Sequence, residues 1–227
     1  LGMTSTNTGT ARDYNGTAPV QYSGTTVTAK RGSSSASTMT IGWQIIEFNG
    51  SALNSSVQNY VKSWSSGSST TQAITSIDTT KTALFFGGCT SSSTGDTHSL
   101  QQAVLTNATT VTINSSSTAS SSLYNFSVVE FATGVLNSSV QRSTISLTSF
   151  PAQQSNTSTL GTAVTIANTM LTYLGDTSDY SSSQLYPYVD AIKLELTNTT
   201  TITGSRGATG VANDVVSWEV VEFTSTP

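Results

Sequence analysis

Charge is scarce in this sequence: only 9% of the 227 residues are charged, and the eight Lys and Arg are scattered rather than clustered. A phosphate-tracking protein needs a basic patch or stripe, so neither nucleic acid nor an anionic membrane surface is an expected partner. Cysteine is scarcer still, with Cys89 alone. One thiol cannot build an internal disulfide framework, which leaves a small buried hydrophobe, or else a reactive or intermolecular thiol. The lone histidine, His98, sits in Gly95-Asp96-Thr97-His98-Ser99. A Ser-His-Asp triad brings its members together from separated positions; Asp96 and Ser99 are too near in sequence, and a solvated loop histidine is expected. No stretch approaches the 18 apolar residues of a membrane-spanning helix. No secretory signal pattern is visible either, and the opening Leu1-Gly2-Met3 suggests a processed or excised chain.

Chemical signatures are correspondingly thin. No Cys/His cluster suits zinc, no glycine loop opens a phosphate-cradling helix, and no motif supports a glycosidase-type carboxylate pair. Asp176 and Asp179 offer two carboxylates in one short stretch, but no twelve-residue calcium loop surrounds them. No cofactor, metal or catalytic residue is therefore expected, and the chain is read as a non-enzyme.

Ser and Thr, by contrast, supply 82 residues, a content that would fit disorder if strand formers were missing. They are not missing. Short runs rich in Val, Ile, Phe and Tyr recur between Ser, Thr, Gly and Asn clusters, as in an all-β protein. In the middle of the chain this pattern places strands near 57–62, 73–77, 83–86, 104–105, 110–113 and 126–131.

Four landmarks then repeat in the same order. Residues 43–48 read W-Q-I-I-E-F, 126–131 read F-S-V-V-E-F and 218–223 read W-E-V-V-E-F, placing Glu47, Glu130 and Glu222 83 and 92 residues apart. A G-x-T-S motif begins at Gly2, Gly88 and Gly175. T-T-V/I-T recurs at 25–28, 109–112 and 200–203, and L-N-S-S-V-Q at 53–58 and 136–141. A period of about 85–90 residues suits one antiparallel β-sandwich, Ig-like or jelly-roll. The expected division is therefore 1–48 as the second half of an incomplete sandwich, with 49–131 and 132–227 as complete ones. By this arithmetic the chain holds two and a half repeats and lacks roughly 40 residues of the first. The apolar Ile41, Trp43, Ile45, Ile46 and Phe48 then need cover from another copy or from upstream sequence, since a bare sheet edge invites association.

Side chains alternate between strand faces, so Trp218, Val220 and Glu222 share one face and Glu219, Val221 and Phe223 the other. Apolar residues on both faces suit a central strand. A carboxylate there needs a partner, and Arg31 and Arg206 each precede their glutamate by 16 residues after the T-T-V/I-T strand. A hairpin between these strands is expected to form the ion pairs Arg31–Glu47 and Arg206–Glu222. The middle copy, with Ser115 at that place, would have none.

Nine of the thirteen asparagines begin an N-x-S/T sequon: Asn15, Asn49, Asn54, Asn107, Asn114, Asn125, Asn137, Asn156 and Asn198. In a glycosylating, exporting organism these are acceptor sites; chance in a Ser/Thr-rich chain is the alternative.

The V-V-E-F strand at 220–223, Val140-Gln141-Arg142 and the I-D-T-T-K-T-A-L-F-F run at 77–86 together resemble the tandem β-sandwich repeats of large exported surface proteins and of virus and phage fibre proteins. The third copy departs from that pattern, with Ala167-Asn168-Thr169 replacing the aspartate and lysine of 78–81. The resemblance implies an extracellular, cell-surface or virion-surface structural role and carries over no catalytic residue. The expected function is a self-associating structural or adhesive module of a filament, fibre or surface layer, whose partners are other copies of itself. A carbohydrate-binding module, with glycans as partners, is the alternative. It rests on Tyr14, Tyr22, Trp64, Tyr180, Tyr186 and Tyr188 as stacking platforms.

Overall fold

The computed structural model describes residues 3–5, 20–23, 25–29, 39–41, 45–65, 67–91, 100–115, 122–179, 192–207 and 212–224. Among them the chain is all-β and antiparallel, and its only helical turns are Gly50–Ala52 and Ile166–Asn168.

Among the described residues there are sixteen strands. The first segment contributes β1 (Met3–Ser5), β2 (Val20–Ser23), β3 (Thr26–Ala29) and β4 (Met39–Ile41). The middle contributes β5 (Gln58–Trp64), β6 (Ser69–Ala73), β7 (Thr82–Ser91), β8 (Gln101–Asn107), β9 (Thr110–Ser115) and β10 (Ser122–Glu130). The third contributes β11 (Gln141–Leu147), β12 (Ser155–Thr159), β13 (Thr169–Ser178), β14 (Lys193–Asn198), β15 (Thr201–Ser205) and β16 (Asp214–Glu222).

Pairing follows the same plan each time. β10 lies between β5 and β7, and β16 between β11 and β13, while β9 and β15 lie between β6 and β8 and between β12 and β14. β1 pairs with β4 and β2 with β3. The serine of each G-x-T-S faces the first residue of the strand leading to E-F: Ser5 opposes Met39, Ser91 opposes Ser122, and Ser178 opposes Asp214. A slip of one residue would turn every side chain of a strand to its other face, and the same backbone register holds at these three places.

Three buried apolar clusters occur among the described residues, and one of them, Ala83, Val129, Phe131, Val140 and Val221, spans the middle and third segments. Leu84, Val111, Ile113, Tyr124, Phe126 and Val128 fill the middle sandwich, together with Cys89 and with Leu174 from β13. Ile145, Leu147, Ile202, Val216, Trp218 and Val220 fill the third. As the two-faced apolar pattern required, β10 and β16 are buried along nearly their whole length.

Two strand expectations fail. The run at 73–77 is not a strand; the strand is the polar Ser69–Ala73, which pairs with β9, while Ile74 and Ile77 plug the core from the following loop. In the first copy of the E-F strand, β4 ends at Ile41 and 45–48 is not in a strand, with Ile45 and Ile46 51% and 47% exposed. A central strand needs a neighbour on each side. β10 and β16 have two, whereas β4 pairs only with β1 among the described residues.

Candidate functional site

Glu130 and Glu222, two of the three E-F glutamates, are tied to amides and hydroxyls rather than to arginine. Glu130 accepts hydrogen bonds from the Asp78 amide (2.9 Å) and the Ser55 hydroxyl (3.4 Å). Glu222 accepts from the Thr165 amide (2.7 Å) and the Ser138 hydroxyl (3.3 Å). Each carboxylate thus clips the start of its segment, L-N-S-S, to the loop that enters β7 or β13. Beside it Leu53 bridges Phe131, and Leu136 bridges Phe223. Burial pushes the Glu222 carboxyl up, but donation from the Thr165 amide, Asn137, the Thr165 hydroxyl and Ser138 outweighs it and leaves the group below its ordinary value. In the first copy Glu47 is exposed.

The expected Arg206–Glu222 pair does not form. Arg206 is buried and pairs with Asp214, while its other donors reach the carbonyls of Gln153, Ala212 and Thr148. The reason is topological: β15 and β16 belong to different sheets, so no hairpin ladder joins them. Arg206 therefore meets the first residue of β16, and Glu222 lies eight residues further on, roughly 26 Å at strand rise. Arg31 lies outside the described residues.

The most elaborate polar cluster lies where the middle and third sandwiches meet. Glu219 on β16 is fully buried; it accepts from the Leu84 amide of β7 (2.6 Å) and from Arg142 Nε (2.9 Å). The same guanidinium donates from Nη1 to the Thr79 carbonyl (2.9 Å) and from Nη2 to the Thr82 carbonyl (2.6 Å). Burial pushes the Glu219 carboxyl above its ordinary value, against the pull of Arg142 and the Leu84 amide. Nearby, the Tyr124 hydroxyl donates to the Leu174 carbonyl (2.6 Å), the Ser217 hydroxyl donates to Gln102 Oε1 (2.6 Å), and Phe86 meets Tyr173 edge-on at 5.7 Å.

This joint is also a sheet junction. Gly175 pairs with Gln102, so β13 adds to the edge of β8 and the two sandwiches share a six-stranded sheet. Gly175 sits at φ +90°, where the β13–β16 register shifts, and a Cβ there would strike the Gln101 carbonyl. Only glycine suits such a backbone and so close an approach. Gly88 has φ +107° at the corresponding irregularity of β7, and a Cβ on its neighbour Gly87 would lie 2.9 Å from the Val20 carbonyl of β2. At Gly175 and at Gly87-Gly88 the bulged strand therefore lies close against a strand of the preceding segment.

A third contact runs along one side. The phenylalanines of the three E-F copies form an edge-to-face column, Phe48 to Phe131 at 5.4 Å and Phe131 to Phe223 at 5.5 Å. The connecting segments ladder alongside, with Ala132 donating to the Ala52 carbonyl and Thr224 to the Val135 carbonyl, both at 2.9 Å.

The sequons fall in three environments. Asn49, Asn54, Asn107, Asn137 and Asn198 are exposed, while Asn114 and Asn156 are half-buried. Asn125 is buried within β10, so it cannot accept a glycan in the folded chain, contrary to expectation. Asn15 lies outside the described residues. Part of the N-x-S/T excess has a structural cause. At Asn49, Asn107 and Asn198 the side-chain carbonyl accepts from both the amide and the hydroxyl of the residue two further on, forming an Asx turn.

The remaining candidates do not converge. Asp176 accepts from the Tyr173 hydroxyl, and Asp179 from the Asn213 amide. No cluster of three or more His, Cys, Asp or Glu with metal-holding geometry occurs among the described residues. Cys89 packs in the middle core, where burial and then the Asp176 charge push its thiol up to about 12. His98, Tyr14, Tyr180, Tyr186 and Tyr188 lie outside the described residues, and Tyr22 and Trp64 lie in β2 and β5. No helix among the described residues is long and apolar enough to cross a membrane. Sequence reasoning missed Arg142, Glu219 and Asp214 as site residues; the local signals are a lone arginine in β11 and three carboxylates, Asp214, Glu219 and Glu222, on the apolar β16. A scan against protein-family models, a search of curated proteins and a search of solved structures each found no match.

Proposed function

We propose that this chain is a structural, self-associating module of tandem β-sandwich repeats, divided at about residues 48 and 131, from an extracellular filament, fibre or virion or cell surface layer. It acts by assembly and not by catalysis. The observation that carries this reading is the joint itself. A glycine-bulged strand set against the preceding segment occurs at both Gly87-Gly88 and Gly175, and the phenylalanine column runs through all three segments. Such a joint propagates, because each segment presents to the next the kind of strand and aromatic edge that it has itself engaged. Main-chain pairing at a strand edge is an established mode of protein association, and the low charge of the chain leaves little repulsion between copies.

Sedimentation velocity and electron microscopy of the purified chain test the proposal. Oligomers that lengthen end to end with concentration are expected. A monodisperse monomer across the accessible concentration range would overturn it.

A further inference from the structure

The surface of the middle sandwich covered by the third has counterparts on the third sandwich. Asp78 and Thr165 make the same amide bond to their glutamates, so the two loops correspond at a spacing of 87 residues. Thr79, Thr82, Leu84 and Phe86, all engaged by the third sandwich, then correspond to Ile166, Thr169, Leu171 and Tyr173. Ile166 and Tyr173 are 48% and 37% exposed. The Asx turns at Asn107 and Asn198 likewise align β8 with β14, placing Lys193 where Gln102 stands. Yet β8 continues into β13, whereas β14 is the edge of its three-stranded sheet among the described residues. That edge carries no net charge, because Lys193 and Glu195 pair with each other at 2.8 Å.

The complementary element is also on the chain. Of the three G-x-T-S strands, β7 lies against β2 and β13 against β8. β1, which follows Gly2 in the same register, pairs only with β4 among the described residues.

We infer that β14 of one copy receives β1 of a second copy, with Ile166 and Tyr173 forming the apolar floor of the contact. This deepens the assembly reading given above and rests on it. The intermolecular joint would then repeat the internal one, in which β13 pairs with β8 through Gly175 and Gln102, and successive copies would share sheets head to tail.

The test uses the 227-residue chain carrying either Met3→Cys or Lys193→Cys, the two mixed and treated with a bifunctional maleimide. The buried Cys89 serves as an internal unreactive control. Hetero-pairs are expected to exceed either homo-pair by about tenfold, since docking raises the effective concentration of the two thiols. Adding Ile166→Arg to the Lys193→Cys chain should remove that preference while circular dichroism and the unfolding midpoint stay unchanged. If copies associate in the centrifuge but cross-linking stays random, or Ile166→Arg leaves it unaffected, this joint is overturned and the assembly reading stands. If copies neither associate nor cross-link, both are overturned.

Discussion

The middle and third sandwiches share one strand plan yet fill the same polar positions differently. Where the third buries the Arg206–Asp214 ion pair, the middle places Ser115 and Ser122, whose buried hydroxyls find no partner among the described residues. Where the third has Arg142 and Glu219, the middle has Asn59 and Ser127, hydrogen-bonded at 2.6 Å. The neutral pair stays on its own two strands, whereas Arg142 reaches out of its sandwich to Thr79 and Thr82. The fold accepts either solution at these sites, and charge is used where distant pieces of chain must be held together. A buried ion pair adds little over an apolar or neutral replacement, but breaking it strands a charge.

The largest effect is therefore expected at Asp214. Asp214→Ala should cost about 3–5 kcal/mol, because Arg206 is left buried and unpaired. The double variant Arg206→Ser/Asp214→Ser, which installs the middle sandwich's solution, should recover most of that loss. Urea unfolding followed by Trp218 fluorescence reports on this core; a single-variant cost below about 1 kcal/mol would erase the distinction between the two sandwiches.

Arg142→Met comes next, at about 2 kcal/mol, since Glu219 stays buried while the arginine is partly solvated. Its loss should separate the unfolding of the two sandwiches into distinct steps in calorimetry. A single unaltered transition would mean that the charge cluster does not couple them.

Glu222→Gln should cost about 1 kcal/mol at neutral pH, the usual worth of such hydrogen bonds. Its depressed folded value means that its stabilisation is present above the unfolded carboxylate value of 4.5 and is lost as pH falls through the folded one. The variant should therefore lose less stability than the parent chain on acidification below pH 4.5, as thermal melts along a pH series would record; parallel curves would contradict this. The smallest effects belong to Asn107→Ala and Asn198→Ala, about 0.5 kcal/mol each. They should agree closely by chemical denaturation, because the two turns have the same hydrogen bonds.

Local pattern made much of the architecture legible. The apolar two-faced runs ending at Glu130 and Glu222 announce buried strands, and the period of G-x-T-S marks the bulges even though its glycines gave no hint of what approaches them. Partner choice was less legible, because it depends on which sheet a strand joins. Arg206 lies 16 residues from Glu222 and only eight from Asp214, but the hairpin assumption favoured the more distant carboxylate. The first E-F copy is as apolar as the others, yet its residues 45–48 are not in a strand, because strand formation needs neighbours as well as propensity. The N-x-S/T excess suggests either acceptor sites or chance, and part of it is turn chemistry at Asn49, Asn107 and Asn198.

Cys89 makes the molecule its own reporter. The only thiol in the chain lies in the middle core, and both burial and a pKa near 12 keep it from acting as a thiolate. A thiol reagent therefore reaches it only when the middle sandwich opens, so the labelling rate measures the opening equilibrium of that one unit. The same measurement made on dilute and on concentrated chains would read whether the proposed association stiffens that unit.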